Sequence, residues 1–504
     1  MMHTDLLVVG GGINGVGVAV DAVGRGLSVI LCEKDDLASH TSSASSKLIH
    51  GGLRYLEQIE FALVHEALKE REILLRKAPH LVHPLAFILP HDKHLRPAWF
   101  IRVGLFIYDY LSKRKSLQGS KKINFQKSPL GKPLKKRFTI GFSYSDCQTD
   151  DARLVVVNAL EAKRRGATVL TQTHCQSVQR ENGYWIADAV NQKTREKITI
   201  KAKTLVNATG PWVSHFLQHV AKISTASQVR LIKGSHVIVP AMYSGHHAYI
   251  LQNKDKRVVF AIPYQRRFTL IGTTDVPCEE KFALSDSIAI SQEEITYLLS
   301  SINYYFSTQL TEKDIVWSYA GVRSLYDDQS EKASQVTREY HLDFNGNAEE
   351  PPIISIFGGK ITTYRSLAEH VIDKLNPYFS HLGRAWTKDS CLPGGDFSTD
   401  SFNEFFSKLK KQYSFIPDET LFRYANSYGT ITHQVLKGVA KQEELGRCFG
   451  ADLYEAEVNY LVENEWVHSC EDLLWRRSKL GLLLSPEEVE QLDSYFRNVD
   501  RRIN

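Results

Sequence analysis

The sequence predicts a mixed α/β chain with an all-helical end. Three observations carry that expectation. The chain opens with a strand, a glycine turn, a helix and a second strand between Asp5 and Glu33. Alternating apolar strands fill about 216–320, and from about residue 385 the texture changes to helices with short polar breaks. At 504 residues the chain is too long for one simple core, so two or three domains are expected.

The elements follow in order. Asp5 to Val9 reads as a buried strand, "GGGINGVG" as a turn into a helix running to about Arg25, and "SVILC" as the second strand, ending at Glu33. This is the start of a right-handed βαβ unit. The stretch "SSASSKLIHGGLRYLE", Ser42 to Glu57, mixes hydroxyls, two glycines, Lys, His, Arg and Tyr. A mixed-charge helix follows in "FALVHEALKEREILLRKAPH". Trp99 to Tyr110 is apolar and aromatic apart from Arg102 and Asp109. Between Ser112 and Phe138 lie ten Lys or Arg and no acid, read as basic loops.

"DDARLVVVNALEAKRRG" predicts a capped helix ending at Gly166. Strands follow on either side of a turn at Asn182-Gly183, and "KTLVNATGPWV" reads as a buried strand entering a glycine turn. "RLIKGSHVIVP", "AYILQN", "RVVFAIPY" and "FTLIGTTD" predict a mixed or antiparallel sheet in a second domain. "PPIISIFGGKITTYRSLAEHVIDKL" is again strand, double glycine and helix. In the last helix Ser485 is the expected cap, Pro486 suits the first turn and Glu488 closes a capping box.

The bulk composition excludes several classes. With 43% hydrophobic and 24% charged residues the chain is a folded globular protein. A formal charge of +5 is too small to argue for nucleic acid. Seven scattered cysteines, never in CxxC spacing, argue against a disulfide framework and against a metal site. "MMHTDLLVVGGG" has no basic region and no long apolar stretch, so no secretory signal is expected. No run approaches the roughly 20 apolar residues that span a bilayer. A cytoplasmic protein is expected, able to lie on a membrane surface.

Gly10, Gly12 and Gly15 form GxGxxG between a strand and a helix. The first allows a tight turn, the second lets backbone approach a pyrophosphate, and the third lets helix and strand pack closely. Glu33, 21 residues past Gly12, suits a ribose diol and disfavours a 2′-phosphate, so NADP is not expected. This unit alone does not separate NAD from FAD. "VNATG" and "FGGKITT" favour FAD: a second glycine turn into a helix can face the pyrimidine end of a flavin, where negative charge develops on reduction.

"DLLVVGGGINGVG", "SSASSKLIHGGLRYLE", "YSDCQTDDARLV", "VNATGPWV", "IKGSH", "IGTTD", "GVRSL" and "FGGKITTYR" together resemble the FAD-dependent, membrane-associated sn-glycerol-3-phosphate dehydrogenases of the bacterial aerobic type. The resemblance covers nearly the whole chain. It implies oxidation of glycerol 3-phosphate to dihydroxyacetone phosphate, hydride transfer to FAD, and electrons passed to ubiquinone or menaquinone. It also implies a homodimer, peripheral on the inner face of the cell membrane.

The implied fold is α/β plus α. A discontinuous Rossmann-like FAD domain of the glutathione-reductase/amino-acid-oxidase type covers 1–85, 140–215 and 321–384. A substrate or capping domain with a mainly antiparallel sheet covers 86–139 and 216–320, with 99–137 contacting the membrane. A helical domain covers 385–504.

The expected cofactor residues at the first glycine turn are Gly10, Gly12, Ile13, Asn14 and Gly15, with Glu33 and Lys34 after the second strand. Ser42, Ser43, Ser45, Ser46, Lys47, Leu48, Gly51 and Gly52 are expected along the flavin. Ala208, Thr209 and Gly210, and Gly358, Gly359, Lys360, Ile361 and Thr362, complete the set. A phosphate dianion with a secondary alcohol needs cations, and Arg is favoured because its fork matches phosphate oxygens. Arg54, Arg323 and Lys360 supply three, and Tyr55, Thr274 and His236 join them as expected substrate residues. His50, Arg323 and Lys360 are the expected catalytic residues. An imidazole titrates near working pH, so His50 is the ordinary general base; an arginine stabilising a developing alkoxide stays open beside it. Two alternative functions are a related amino- or 2-hydroxy-acid flavoenzyme and a non-catalytic nucleotide sensor at the membrane.

Overall fold

The computed structural model describes residues 1–279, 288–327, 339–347, 349–397 and 401–503. Two sheets and one helical domain make up these residues. The first sheet has eight strands. At its centre Met2–Val9 runs parallel to both Lys197–Asn207 and Val29–Cys32, and the latter continues to Thr168–Leu170. Ile353–Phe357 adds a parallel strand on the other side, with His341–Asn345 antiparallel at that edge. Near-continuous apolar strands such as "LLVV" and "VILC" are those of a sheet covered on both faces. One face carries the helices Ile13–Gly24, Asp151–Arg164 and Tyr364–Leu375. The other carries the hairpin Thr173–Glu181 and Tyr184–Asn191 together with the turn around Phe216. The first strand is longer than expected by three residues, and the first helix ends as expected, with Arg25 as its cap.

The second sheet has ten strands and is antiparallel except where Val82–Pro90 runs parallel to His247–Gln252. That pairing moves the domain boundaries. Val82–Pro90 pairs along its whole length with Ile140–Thr149, and Leu48–Ile49 pairs with the same strand. Trp317–Tyr326 pairs with Val229–Pro240. So 82–85, 140–149 and 321–326, which the expected division put in the FAD domain, belong to the second sheet. Their hydrogen-bond partners lie far away in sequence, and periodicity cannot show them. Part of the basic stretch is also strand rather than loop: Lys121–Asn124 pairs with Ile140–Ser143.

Helix starts follow local chemistry. Asp150 accepts the Arg153 N–H at 3.0 Å. Ser485 and Glu488 form the expected capping box at the last helix, Pro486–Ile503, and Ser291 and Ser401 cap two others in the same way. Each such cap contributes about 1 kcal/mol. The C-terminal helices Phe402–Gln412, Asp418–Tyr428 and Glu455–Asn464 close around their own core, including Leu421, Tyr424, Leu461 and Leu473.

No helix among the described residues is long and apolar enough to cross a membrane. The helix Ala98–Tyr110 is short and two-sided. Leu105 and Tyr108 face inward, whereas Trp99 (69% exposed), Val103, Phe106 (55%) and Tyr110 (70%) form one outward stripe. The 4–3–4 spacing puts all four on one helix face.

Candidate active site

A cavity of about 660 Å³ opens where the first sheet ends and the second begins. At one end is the GxGxxG turn. Gly10 has φ +113° and donates its N–H to the Cys32 carbonyl at 2.8 Å. A side chain there would meet the Ala208 carbonyl oxygen at 2.5 Å. Gly12 precedes the helix, and the Ile13 N–H donates to Ser42 Oγ at 3.0 Å. Gly12, Ile13 and Asn14 therefore present a helix N-terminus to the cavity, a ready anion site. Gly15 is not in the wall; a Cβ there would run into the Gly10 carbonyl, so it serves the strand–helix contact.

Glu33 closes this end. Its Oε2 accepts the Gly11 N–H at 2.6 Å and its Oε1 accepts the Asp35 N–H at 2.9 Å. Burial pushes its carboxyl up, against those two amides. Lys34 sits 4.5 Å over the Trp212 ring and 3.3 Å from Asp35. His174, Cys175, Trp212, His215 and Phe216 extend this wall, and sequence reasoning missed them. Trp212 is in the "VNATGPWV" stretch, and the other four come from a strand and a turn that carry no motif.

In the middle, Ser42, Ser45, Ser46, Leu48 and Gly52 face Ala208, Thr209, Gly210 and the run Gly358 to Thr362. Gly358 and Gly359 have φ +81° and +99°, conformations that glycine adopts freely. Asn14 Nδ2 donates to the Gly358 carbonyl at 3.2 Å, while its buried Oδ1 has no protein partner. A flavin nucleotide fits this wall: a helix N-terminus for the pyrophosphate, an acid for the ribose, glycines for close passage, and an open acceptor at Asn14.

The far end gathers the cations. Arg54, Tyr55, His50, His236, Arg323 and Lys360 line the cavity together. Lys360 Nζ lies 4.3 Å over the Tyr55 ring. Arg323 donates to the Thr274 carbonyl and pairs with Asp275 Oδ1, both at 2.8 Å. The His50 N–H donates to Thr362 Oγ1 at 3.3 Å. Burial lowers the His50 imidazole below its ordinary value, with Asp146 opposing and Lys360 and Arg71 assisting. His236 stacks on Tyr319 at 4.7 Å and meets Ser46 Oγ at 2.9 Å. Burial, then Lys47 and Arg323, take it down to about 3, so it is neutral at any working pH.

Besides Gly15, four expected residues lie outside this wall. Thr274 is buried, donates to Glu294 Oε1 at 2.6 Å and accepts the Ser235 N–H at 2.9 Å; its neighbours Thr273 and Asp275 reach the wall instead. Lys47 is turned away onto Asp151 at 2.8 Å. With Ser43 it lines a separate cavity of about 420 Å³. Gly51 is behind the wall: its N–H donates to Tyr108 Oη at 2.9 Å, and a Cβ would meet Leu68 at 2.5 Å. Buried partners hold Thr274, Lys47 and Gly51 away from the cavity, and Ser43, in the turn Thr41–Ser43, donates to the His40 carbonyl at 3.2 Å.

A nucleotide fold with two glycine turns around one cavity, and a cluster of cations at its far end, defines an FAD-dependent oxidoreductase. Residues 5–365 match the FAD dependent oxidoreductase family, and residues 385–500 match the C-terminal domain of alpha-glycerophosphate oxidase. The chain is 52% identical over 494 residues to a glycerol-3-phosphate dehydrogenase of Pseudomonas aeruginosa, covering 98% of this chain and 95% of that one. It is 49% identical to the aerobic glycerol-3-phosphate dehydrogenase of Escherichia coli K12, covering 98% of each. It is 47% identical to a D-erythritol 1-phosphate dehydrogenase of Brucella abortus, again covering 98% of each. The solved glycerol-3-phosphate dehydrogenase of Bacillus halodurans, complexed with FAD, superposes with a TM-score of 0.76 at 28% identity, over 98% of this chain and 89% of that one. The chain belongs to the FAD-dependent glycerol-3-phosphate dehydrogenase family.

Proposed function

We propose that this enzyme oxidises sn-glycerol 3-phosphate to dihydroxyacetone phosphate and passes the electrons to ubiquinone or menaquinone. The observation that carries the reading is the grouping of Arg54, Arg323 and Lys360 with His50 in the cavity that the nucleotide motif opens. Bound FAD supplies the hydride acceptor. Arg54, Arg323 and Lys360 bind the phosphate dianion through charge-assisted hydrogen bonds. His50, neutral because it is buried, takes the proton of the C2 hydroxyl.

The test is anaerobic bleaching of the purified yellow protein. Glycerol 3-phosphate should bleach it at least about tenfold more efficiently than D-erythritol 1-phosphate, the discrimination one hydroxymethyl-sized difference supports. The reverse order would make this chain a four-carbon polyol-phosphate dehydrogenase, a reading that the Brucella relative motivates. No bleaching by either would defeat the dehydrogenase reading.

The sign of the pH dependence follows from His50. Its folded value lies below that of a free imidazole, about 6.5. Flavin reduction should therefore hold constant above neutrality and fall with an acid limb lying below pH 6.5. His50→Asn should remove that limb and slow reduction by about 10²–10⁴-fold. An unchanged rate in stopped-flow would exclude His50 as base.

The enzyme acts as a homodimer on the cytoplasmic face of the cell membrane, in this reading, with the helix Ala98–Tyr110 as its contact. The outward stripe of Trp99, Val103, Phe106 and Tyr110 supports this, as do exposed Lys113, Lys115, Lys121 and Lys122 beside it. Apolar area plus basic charge is the recipe for binding an anionic surface. Pelleting with anionic vesicles at low salt should be strong for the wild type and lost in the double variant Trp99→Ser, Phe106→Ser. Equal pelleting of both would move the contact elsewhere.

A further inference from the structure

Among the described residues none after Thr362 lines the cofactor cavity. Yet the C-terminal domain grips two of the loops that form it. The grip is one segment, Asp472 to Lys479, which projects three cations onto carboxylates of the nucleotide-binding half.

The first carboxylate is Asp36, three residues beyond Glu33. It is 2% exposed. It accepts Arg476 Nε at 2.6 Å and both Nη atoms of Arg477 at 2.8 and 2.7 Å. Arg477 is itself held by the Glu465 carbonyl at 2.7 Å, inside the helical domain. The loop that carries Asp36 also carries the cofactor contacts. Glu33 accepts the Gly11 N–H, and the Ala38 N–H donates back to the Gly11 carbonyl at 3.3 Å. Asp36 is thus the outer anchor of the loop that shapes the ribose and pyrophosphate end.

The second carboxylate is Asp151, at the start of the helix Asp151–Arg164. It accepts the Ser45 N–H at 3.2 Å, the Ser45 hydroxyl at 2.7 Å and the Lys47 ammonium at 2.8 Å. Lys479 Nζ lies 3.7 Å from Asp151 and 3.5 Å from Asp150. Ser45 is in the cavity wall. Asp151 therefore gathers the loop beside the flavin, and Lys479 balances the local charge from the other domain.

We propose that Arg476, Arg477 and Lys479 are positioning residues for FAD, through which the C-terminal domain holds the two cofactor loops closed and sets how slowly the flavin leaves. None of them reaches the cofactor. They act through Asp36 and Asp151, as outer partners orient groups that make the direct contacts.

The test uses full-length holoenzyme. FAD release on dilution is followed by the rise in flavin fluorescence, beside thermal melting. The variants are Asp36→Asn, Lys479→Met and Arg477→Lys. The comparison variant is Glu457→Gln, which breaks a buried pair with Arg423 inside the helical domain but touches neither loop. Asp36→Asn should release FAD about tenfold faster or more, the scale of losing one partner of a buried charge pair. Arg477→Lys should fall between it and wild type, and Lys479→Met should accelerate release in the same direction. Glu457→Gln should melt earlier yet release FAD at the wild-type rate.

Release that simply follows melting temperature across all four variants would overturn the proposal. So would wild-type release in both Asp36→Asn and Lys479→Met. If Asp36→Asn does not fold, Lys479→Met against Glu457→Gln decides on the same readout.

Discussion

Arg323→Ala should raise the Michaelis constant for glycerol 3-phosphate by about 100-fold or more, while the protein stays yellow. Arg323 is on the strand Trp317–Tyr326, at the cation-lined end of the cavity, and its guanidinium is tied to Asp275 and the Thr274 carbonyl. Two losses add. The phosphate loses a charge-assisted partner, worth about 1.5–3 kcal/mol. Asp275 also stays in the wall with its Arg323 pair gone, so its negative charge weighs more against a dianion. Arg323→Lys should recover part of the loss, because the charge returns without the fork. Arg54→Ala should act in the same direction. Steady-state kinetics with a small soluble acceptor, beside the flavin spectrum, separates a binding loss from a cofactor loss. Wild-type constants in both alanine variants would remove these arginines from the substrate site.

Gly15→Ala should produce protein without flavin, or none that folds. The added methyl would be driven into the Gly10 carbonyl, which belongs to the backbone of the turn. No side chain can swing aside, so the helix must leave the strand or the turn must deform. Overpacking a well-filled site costs about 1–3 kcal/mol, and more where backbone must yield. Any shift moves Gly10, Gly12 and the helix N-terminus together, the part of the wall expected to hold the pyrophosphate. Gly104→Ala is the fitting comparison. Gly104 is inside the helix Ala98–Tyr110 with nothing within 4 Å of an added methyl, so the change should be neutral or stabilise by about 0.5–1 kcal/mol. The ratio of flavin to protein absorbance in the two purified variants checks both outcomes.

These two expectations differ in how they could be foreseen. The role of Gly15 is local: three glycines at fixed spacing between a strand and a helix imply the packing that the structure shows. The same is true of the Ser485–Glu488 capping box and of Glu33 at the end of its strand. Each depends on neighbours a few residues away, or on one βαβ unit. The setting of Arg323 is different. That it lines the cavity with Arg54 and Lys360 depends on three separate segments meeting, and only the family resemblance hinted at it.

The misplaced residues have one cause. Thr274 and Asp275 adjoin in "GTTD", yet Thr274, the one expected at the substrate, bonds Glu294 while Asp275 lines the cavity. Lys47 was grouped with a hydroxyl-rich loop, yet a buried Asp151 captures its ammonium. Adjacent residues on extended chain face opposite ways, and a buried charge goes where its partner is. Neither partner can be read from the motif.

The sequence by itself determined the nucleotide-binding unit, the helical end and the glycine positions, because spacing along one chain dictates local geometry; the set of cations came with the family resemblance. The tertiary structure alone decided which of those cations share a cavity. It also decided that 82–90 and 140–149 belong to the second sheet, and that Arg476, Arg477 and Lys479 face the cofactor domain. Sheet pairing and buried ion pairs join residues tens to hundreds of positions apart. Their energy is realised only when the chain closes, and no local pattern records the partner.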